Sequence, residues 1–251
     1  MRIAQVIALL LLSFTSTRAD WTFSSAEQLK SPPGLEFIAA KASNGGDDVQ
    51  LWLVRFSPRT HTFAVMDNPA GAFDTGSAAL KRGALAAVNG GYFHPDRTPL
   101  GLVVRQGVEI HNFEKAKLLS GLVVVADGRI SIRRASEYSA APAVHEALQA
   151  GPFLVDGGKP VPGLDDTRSA SRTVVIADST GRFGLLVCKG LTLAQTAEML
   201  ATPGLLPTAK ITRALNLDGG TSTALWVRGE PAFYEREWKT VRNYLAIVPK
   251  S

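Results

Sequence analysis

The chain has 251 residues, 45% of them hydrophobic, which is enough for a sizeable core in one large domain or two small ones. Its formal net charge of +5 is mildly basic, but no dense run of Lys and Arg occurs, which argues against nucleic acid as a partner. Cys188 is the only cysteine, so no disulfide can form within the chain, and its apolar neighbours predict a buried side chain rather than a nucleophile.

The first nineteen residues have the order of a secretory signal peptide. Arg2 precedes an apolar run over 6–12, and residues 17–19 end on the small residue Ala19. The apolar run is too short to span a membrane as a helix. We therefore expect cleavage after Ala19 and a periplasmic or secreted mature chain with no membrane span. The alternatives are an uncleaved anchor or a buried first helix.

Residues 20–44 are predicted to form an N-terminal arm, with a linker over 20–34 and a first strand over 35–41. Terminal signals predict two helices. The first covers 74–82 and stops at Gly83, and the second opens with a capping box of Thr192 and Gln195. β-branched and aromatic runs predict strands at 49–56, 61–66, 84–88, 101–105, 107–111, 121–126, 129–133, 149–155, 173–177, 183–188, 224–227 and 244–248.

These strands outnumber the helices and often follow one another directly. The pattern predicts an α+β fold with a mainly antiparallel sheet and a few packed helices. The run 137–148 fits neither a helix nor a strand clearly. No change of composition divides the chain after residue 45, so residues 45–251 are expected to form a single domain.

Asp218 lies in the most informative segment, the octet 215–222, which reads LNLDGGTS. An apolar run ends at this one carboxylate, a glycine pair follows it directly, and small hydroxyl residues come next. Glycine pairs allow backbone N–H groups to approach a ligand closely, so the acid is well placed for chemistry. The alternative is a plain β-hairpin turn, because Asp-Gly between apolar runs is typical of hairpins.

A second segment, 86–93, has the same build. It reads AAVNGGYF, again an apolar run, a short polar residue and a glycine pair. Two such turns, far apart in sequence, are able to face one another across a pocket, and we expect the side chains of Asn89, Arg172 and Asp218 to line a common site.

Four segments occur in a fixed order: 88–93 (VNGGYF), 150–155 (AGPFLV), 171–173 (SRT) and 215–220 (LNLDGG). In this order they resemble the phosphodiester glycosidase family, in particular its bacterial-type, single-domain members. The resemblance covers residues 45–249. It implies a hydrolase that releases a sugar, such as one of N-acetylglucosamine type, from a phosphodiester. Many members carry a third glycine where this chain has Thr221, which leaves the backbone at that position in question.

Asp218 is the first candidate for catalysis. Glycosidases use carboxylates to attack, to activate water or to stabilise an oxocarbenium-like centre. A phosphate leaving group is already a stable anion, so its protonation matters less than the balancing of its charge. The alternative for Asp218 is a turn cap. A second carboxylate remains open among Glu146, Asp156, Asp165, Asp166 and Asp178.

Arg172 is the second candidate, because its guanidinium can bind two phosphate oxygens and stays charged. Arg168, four residues earlier, is a candidate for the same phosphate, and a surface ion pair is the alternative for each. Asn89 is the third catalytic candidate, since its amide can donate to and accept from sugar hydroxyls.

The remaining predicted contacts would bind substrate through backbone groups, hydroxyls or a ring face. Tyr92 is a candidate to stack on a sugar, and His94, directly after the aromatic pair, is a candidate phosphate contact or acid–base group. The other predicted substrate-binding residues are Gly90, Gly91, Gly151, Thr173, Gly219, Gly220, Thr221 and Ser222.

The four histidines are scattered without zinc-ligand spacing, so zinc is not expected. No cofactor is indicated, although a divalent cation held by Asp218 and a phosphate stays open.

The prediction is therefore an exported hydrolase that cleaves the C1–O bond of a sugar-1-phosphodiester in cell-envelope or extracellular glycans. A mildly basic surface suits such an anionic substrate. One alternative is a metal-assisted phosphodiesterase that cuts the P–O bond, and the other is a non-catalytic binder of envelope glycans.

Overall fold

The computed structural model describes residues 20–139 and 143–250, so the predicted signal peptide at 1–19 lies outside the described residues. Strands dominate this part of the chain. They are β1 (Thr22–Leu29), β2 (Leu35–Ser43), β3 (Asp48–Phe56), β4 (His61–Asp67), β5 (Ala86–Asn89), β6 (Val103–Arg105), β7 (Val108–His111), β8 (Gly121–Ala126), β9 (Arg129–Arg134), β10 (Val144–Ala150), β11 (Phe153–Asp156), β12 (Lys159–Pro160), β13 (Ala170–Asp178), β14 (Phe183–Leu191), β15 (Ile211–Asn216), β16 (Leu225–Val227), β17 (Phe233–Glu235) and β18 (Asn243–Pro249).

The strands form three antiparallel sheets. The largest has the order β1-β2-β3-β14-β13-β15-β11-β12, the second β7-β6-β10-β8-β9, and the third β17-β16-β5-β18-β4. Strands that are neighbours in a sheet are often distant in sequence, as when β14 pairs with β3 and β18 pairs with β5. The four predicted strands between 101 and 133 do form an antiparallel set, joined by β10 in its centre.

One core lies where the inner faces of the three sheets meet. It contains Phe56 from the first sheet, Leu148 from the second and Leu245 from the third. A second core lies on the outer face of the eight-stranded sheet. The run 174–176 of β13 is buried throughout because Val175 faces the first core while Val174 and Ile176 face the second.

Two α-helices occur in the described residues, α1 (Thr75–Arg82) and α2 (Leu193–Ala201). The side chain of Asp74 caps α1, and Gly83 ends it with a φ of 72°. Thr192 caps α2 in the predicted capping box. Helix α2 packs on the second core, and α1 packs against the third sheet. None of the described helices has the length and apolar character needed to cross a bilayer.

The prediction of antiparallel strands in a single domain is confirmed, and Cys188 is buried as expected. The helical share is smaller than an α+β description implies, because only α1 and α2 accompany 47% strand. The fold is therefore mainly β.

The predicted linker over 20–34 is wrong. Residues Thr22–Leu29 form β1, an edge strand that pairs with β2 and extends the eight-stranded sheet. The segment TFSSAEQL lacks a buried apolar run because an edge strand contributes little to the core. The proposed arm is thus an integral part of the eight-stranded sheet.

Candidate active site

The turn that carries Asp218 joins two different sheets. The strand before it, β15, lies in the eight-stranded sheet, whereas the strand after it, β16, pairs with β5 in the third sheet. The hairpin interpretation is therefore wrong, because a hairpin requires its two strands to pair. Asp218 instead begins a crossing between sheets, which continues through the 3-10 turn Gly220–Ser222.

The two glycine-pair motifs are in direct contact. The backbone N–H of Asp218 donates to the carbonyl oxygen of Gly90 at 3.1 Å. The Asn89 side chain donates through Nδ2 to the carbonyl oxygen of Asp218 at 2.6 Å. These bonds join the ends of β5 and β15 across the boundary between the sheets, as the similarity of the two motifs suggested.

Asn89 holds this junction together. Its side chain is fully buried, and Oδ1 accepts from the Thr173 hydroxyl at 2.6 Å and from the Ala224 N–H at 3.1 Å. Together with the bond to Asp218, these contacts engage the amide with protein groups on three other segments. Asn89 is therefore placed to position Asp218, and Thr173 is placed to position Asn89.

Two glycines of the motifs are required by geometry. A Cβ at Gly90 would lie 2.0 Å from Oδ1 of Asn243 and 2.8 Å from its carbonyl oxygen, so no side chain fits there. Gly220 has a φ of 62°, which favours glycine. Thr221 is not among the described residues with positive φ, so its side chain fits without strain in this backbone. A Cβ at Gly91, Gly151 or Gly219 would also come within 3.0 Å of a backbone atom.

The carboxyl group of Asp218 is largely buried at this junction. Burial raises its pKa above the ordinary value for Asp, and hydrogen bonds from the Ser222 hydroxyl and the Gly219 N–H oppose that rise. The Gly219 bond is 2.8 Å long, from N to Oδ1. A partly buried carboxylate with few hydrogen-bond donors keeps much of its charge available for a developing positive centre.

Tyr92 lies within electrostatic reach of both Asp218 and Arg172. Burial raises the pKa of the Tyr92 hydroxyl, the Asp218 charge raises it further and the Arg172 charge lowers it. That hydroxyl donates to the carbonyl oxygen of Gly151 at 2.6 Å and accepts from Nδ2 of Asn216 at 3.0 Å. These bonds fix Tyr92 between two of the predicted motifs.

Arg172 is buried, and among the described residues it forms no ion pair with a carboxylate. Its Nε donates to the carbonyl oxygen of Leu191 at 2.9 Å and its Nη2 to that of Arg168 at 2.5 Å. Burial lowers the pKa of Arg172, and the charge of the exposed Asp165 opposes that lowering without forming an ion pair with it. Because neutral carbonyls do not cancel a positive charge, Arg172 presents a cation that is preorganised for an anionic ligand.

The other predicted residues lie around this centre with less defined roles. Arg168 is exposed and contributes its carbonyl oxygen to Arg172. Thr221 is exposed, and its carbonyl oxygen accepts from the backbone N–H of Trp238 at 2.9 Å. His94 is exposed in the loop after β5, where its backbone N–H donates to Thr98.

Two asparagines that the sequence analysis did not single out belong to the same network. Asn216 bonds to Tyr92 and to the Gly151 carbonyl oxygen. Asn243 accepts through its carbonyl from Gly90 N–H and through Oδ1 from Gly91 N–H, both at 2.8 Å. Asn216 stands inside the LNLDGG motif. Asn243 opens the final apolar strand, a position where a buried amide is unusual.

Most other carboxylates considered as a second catalytic acid have partners elsewhere. Asp178 pairs with Arg55 at 2.9 Å, Asp156 with Arg134 at 2.9 Å, and the exposed Asp165 accepts from the hydroxyl of Thr167 at 2.6 Å. In the described ranges, no group of three or more His, Cys, Asp and Glu comes together that could hold a metal ion.

A sizeable cavity lies away from the motifs. It has a volume of about 520 Å³, and of the carboxylates considered for the site only Glu146 lines it. Its buried carboxylate, Glu146, accepts from the Val65 N–H at 3.1 Å and so ties β10 to β4. Burial raises the pKa of Glu146, and this bond opposes the rise. We assign Glu146 to the junction between sheets rather than to the site around Asp218.

The motifs, their order and their convergence define a class of protein. The family model of phosphodiester glycosidases matches residues 82–248. The chain belongs to this family.

Solved structures with the same fold include the catalytic domain of zebrafish N-acetylglucosamine-1-phosphodiester alpha-N-acetylglucosaminidase, auto-inhibited by its pro-peptide. It is 16% identical with a TM-score of 0.67, over 92% of this chain and 89% of that one. A hypothetical protein from Synechocystis is 15% identical with a TM-score of 0.63, over 90% of this chain and 64% of that one. A protein from Burkholderia pseudomallei described as a putative exported protein is 14% identical with a TM-score of 0.55, over 84% of this chain and 74% of that one. No curated protein matches the chain.

Proposed function

We propose that the protein is a glycosidase that cleaves the C1–O bond of a sugar-1-phosphodiester. The observation that carries this proposal is the pairing of one largely buried carboxylate, Asp218, with a buried cation, Arg172, that has no carboxylate partner in the described residues. Family membership and the name of the zebrafish enzyme support a sugar phosphodiester, of the N-acetylglucosamine type, as the substrate class.

The two groups match the two charges that develop when the C1–O bond breaks. The bonding electrons leave with the phosphate oxygen, and the cationic guanidinium of Arg172 offsets that charge. The anomeric carbon becomes positive, and the Asp218 carboxylate stabilises it as a nucleophile, a base or an electrostatic partner. Water then supplies the new oxygen at C1 and releases a proton. Asn89 and Thr173 hold the Asp218 turn in place throughout.

Hydrolysis in heavy-oxygen water tests this proposal. A panel of sugar-1-phosphodiesters is incubated with the purified mature protein, with and without chelator, and the products are analysed by mass spectrometry. We expect the label in the released sugar and turnover that is insensitive to chelator. Label in the phosphate together with loss of activity under chelation would establish the metal-assisted phosphodiesterase instead. Binding of glycans without turnover of any member would establish a non-catalytic binder.

We also propose that the chain is exported and acts in the periplasm or outside the cell. The support is the order of positive charge, apolar run and small residue over 2–19. The mature protein should begin near Asp20, as read by N-terminal sequencing of native material from fractionated cells. Cytosolic protein that retains Met1 would contradict export and leave the proposed chemistry untouched.

A further inference from the structure

Trp238 is the most exposed large apolar side chain in the described part of the chain. Its side chain is 86% exposed, whereas Leu80, on α1, is 59% exposed. Tryptophan combines a large flat ring with one N–H donor, and such residues are enriched where a protein recognises a ligand or partner. The position of an exposed tryptophan beside a candidate active site therefore requires an explanation.

The backbone that carries Trp238 is fixed to the turn after Asp218. The Trp238 N–H donates to the carbonyl oxygen of Thr221 at 2.9 Å. The residue before it, Glu237, is buried and accepts from the N–H and the hydroxyl of Thr75 at 2.6 and 2.8 Å. Glu237 also accepts from the Tyr234 hydroxyl at 2.9 Å. The exposed ring thus extends from an anchored segment.

The same segment is anchored to the other glycine-pair motif. Arg97, in the loop that follows Gly90 and Gly91, donates to the carbonyl oxygens of Thr240 and Val241 at 3.3 and 2.6 Å. Asn243 then accepts from both motif glycines, as described above. The backbone segment around Trp238 is therefore hydrogen-bonded to both glycine-pair motifs.

Trp238 is hydrogen-bonded to a residue near Asp218 in the chain, which suits a substrate that extends out of the site. Thr221 follows Asp218 by three residues, so their Cα atoms are separated by at most about 11 Å. Asp218 acts at the anomeric carbon, and the second half of a phosphodiester begins only a few bonds away. Lys239, exposed beside Trp238, adds a positive charge to this rim that fits an anionic glycan, while Arg236 pairs with Asp74 at 3.7 Å.

We propose that the indole of Trp238 stacks on a sugar ring in the leaving-group half of the substrate, outside the bond that is cleaved. This inference rests on the proposed function and deepens it. Trp238 then binds the leaving group and selects phosphodiesters whose second half is a sugar over those with a small alcohol.

Two substrates test whether Trp238 contacts the leaving-group sugar or affects substrate binding whatever the leaving group is. Both carry N-acetylglucosamine 1-phosphate, esterified in one case with glucose and in the other with methanol. We expect Trp238→Ala to raise KM for the glucose ester about tenfold and to leave KM for the methyl ester within about twofold. Trp238→Phe should keep most of the affinity because it keeps a ring. Leu80→Ala, which removes another exposed apolar side chain, should leave KM unchanged for both substrates.

An equal change for both esters, or no change for either, would overturn the proposal. Binding measured without turnover keeps this test separate from that of the proposed function. Titration with the glucose ester should change the fluorescence of the wild-type protein and not that of Trp238→Phe, even if neither ester is hydrolysed. A fluorescence response that is identical in the two proteins would also contradict stacking on Trp238.

Discussion

Replacing Asp218 with Asn should lower kcat by about 100-fold or more and leave KM within a few fold. The amide keeps the shape of the carboxyl group, and its oxygen still accepts from the Gly219 N–H. It loses the negative charge that the developing positive carbon requires. Steady-state kinetics on a sugar-1-phosphodiester measure the effect. Asp127→Asn is the matched control, because Asp127 sits in an exposed turn with a φ of 49° that asparagine adopts readily.

A folded Asp218→Asn protein with nearly normal turnover would reduce Asp218 to a turn cap. The pH profile gives a second measurement. Burial raises the pKa of Asp218, so kcat/KM should fall, as the pH is lowered, at a pH above about 3.9, the usual value for Asp. In Asp218→Asn that acid limb should disappear.

The raised pKa of Asp218 should also appear in the pH dependence of stability. There the protonated acid is the favoured form, whereas activity requires the ionised form. Because the folded-state pKa is raised, folding favours the protonated acid below the unfolded pKa, and this contribution is lost as the pH rises through the folded pKa. Asn stays neutral at every pH. The melting temperature of Asp218→Asn relative to wild type should therefore increase with pH across that window, which calorimetry measures without any substrate.

Replacing Arg172 with Ala should lower kcat/KM for a phosphodiester by about 10- to 100-fold, the worth of one or two hydrogen bonds to a charged group. The loss should appear in KM, because the phosphate is charged in the ground state, and in kcat, because its charge grows as the bond breaks. Arg213→Ala is the control. Arg213 is half-buried on β15, the strand beside the one that carries Arg172, but Glu137 neutralises it at 2.7 Å.

Arg172 also holds the carbonyl oxygens of Leu191 and Arg168, so its removal lowers stability as well. A substrate with an uncharged leaving group separates the loss of phosphate binding from the loss of stability. A nitrophenyl glycoside of the same sugar carries no phosphate, and its hydrolysis should change little in Arg172→Ala. Equal losses on the two substrates would show that Arg172 only supports the fold.

Local sequence signals predicted the elements whose stability is local. Helices α1 and α2 were predicted from Asp74, Gly83 and the Thr192 capping box, since caps act within one turn of the chain. The strands predicted at 173–177 and 183–188 correspond to β13 and β14, which pair with each other. Strand β1 was missed because an edge strand is stabilised by pairing with β2 rather than by its own apolar pattern.

The candidate site could be predicted only in part, because the sequence reports local motifs and not the contacts between them. The motifs gave Asp218, Arg172 and Asn89, but the sequence does not state what each side chain faces. Asn89 was predicted to contact sugar, and the structure engages its amide with Thr173, Ala224 and Asp218. Asn243 was missed because its role comes from contacts with a segment more than 100 residues earlier. Trp238 was missed because its role comes from its bond to the turn after Asp218. Local sequence patterns report neither kind of contact.

The bonds of Asn89 also have a consequence for the order of folding. They close loops of 84 residues to Thr173 and 129 residues to Asp218, between sheets whose strands pair largely at long range. Closing such loops costs chain entropy before any contact compensates it, so contacts of this kind form slowly. Pairing of β13 with β15 brings Arg172 and Asp218 to the ends of neighbouring strands of the eight-stranded sheet, and the bonds of Asn89 form only once the third sheet has docked against it. Asn89 therefore fixes the Asp218 turn only in the completed fold, and the proposed hydrolysis would be a report of complete folding.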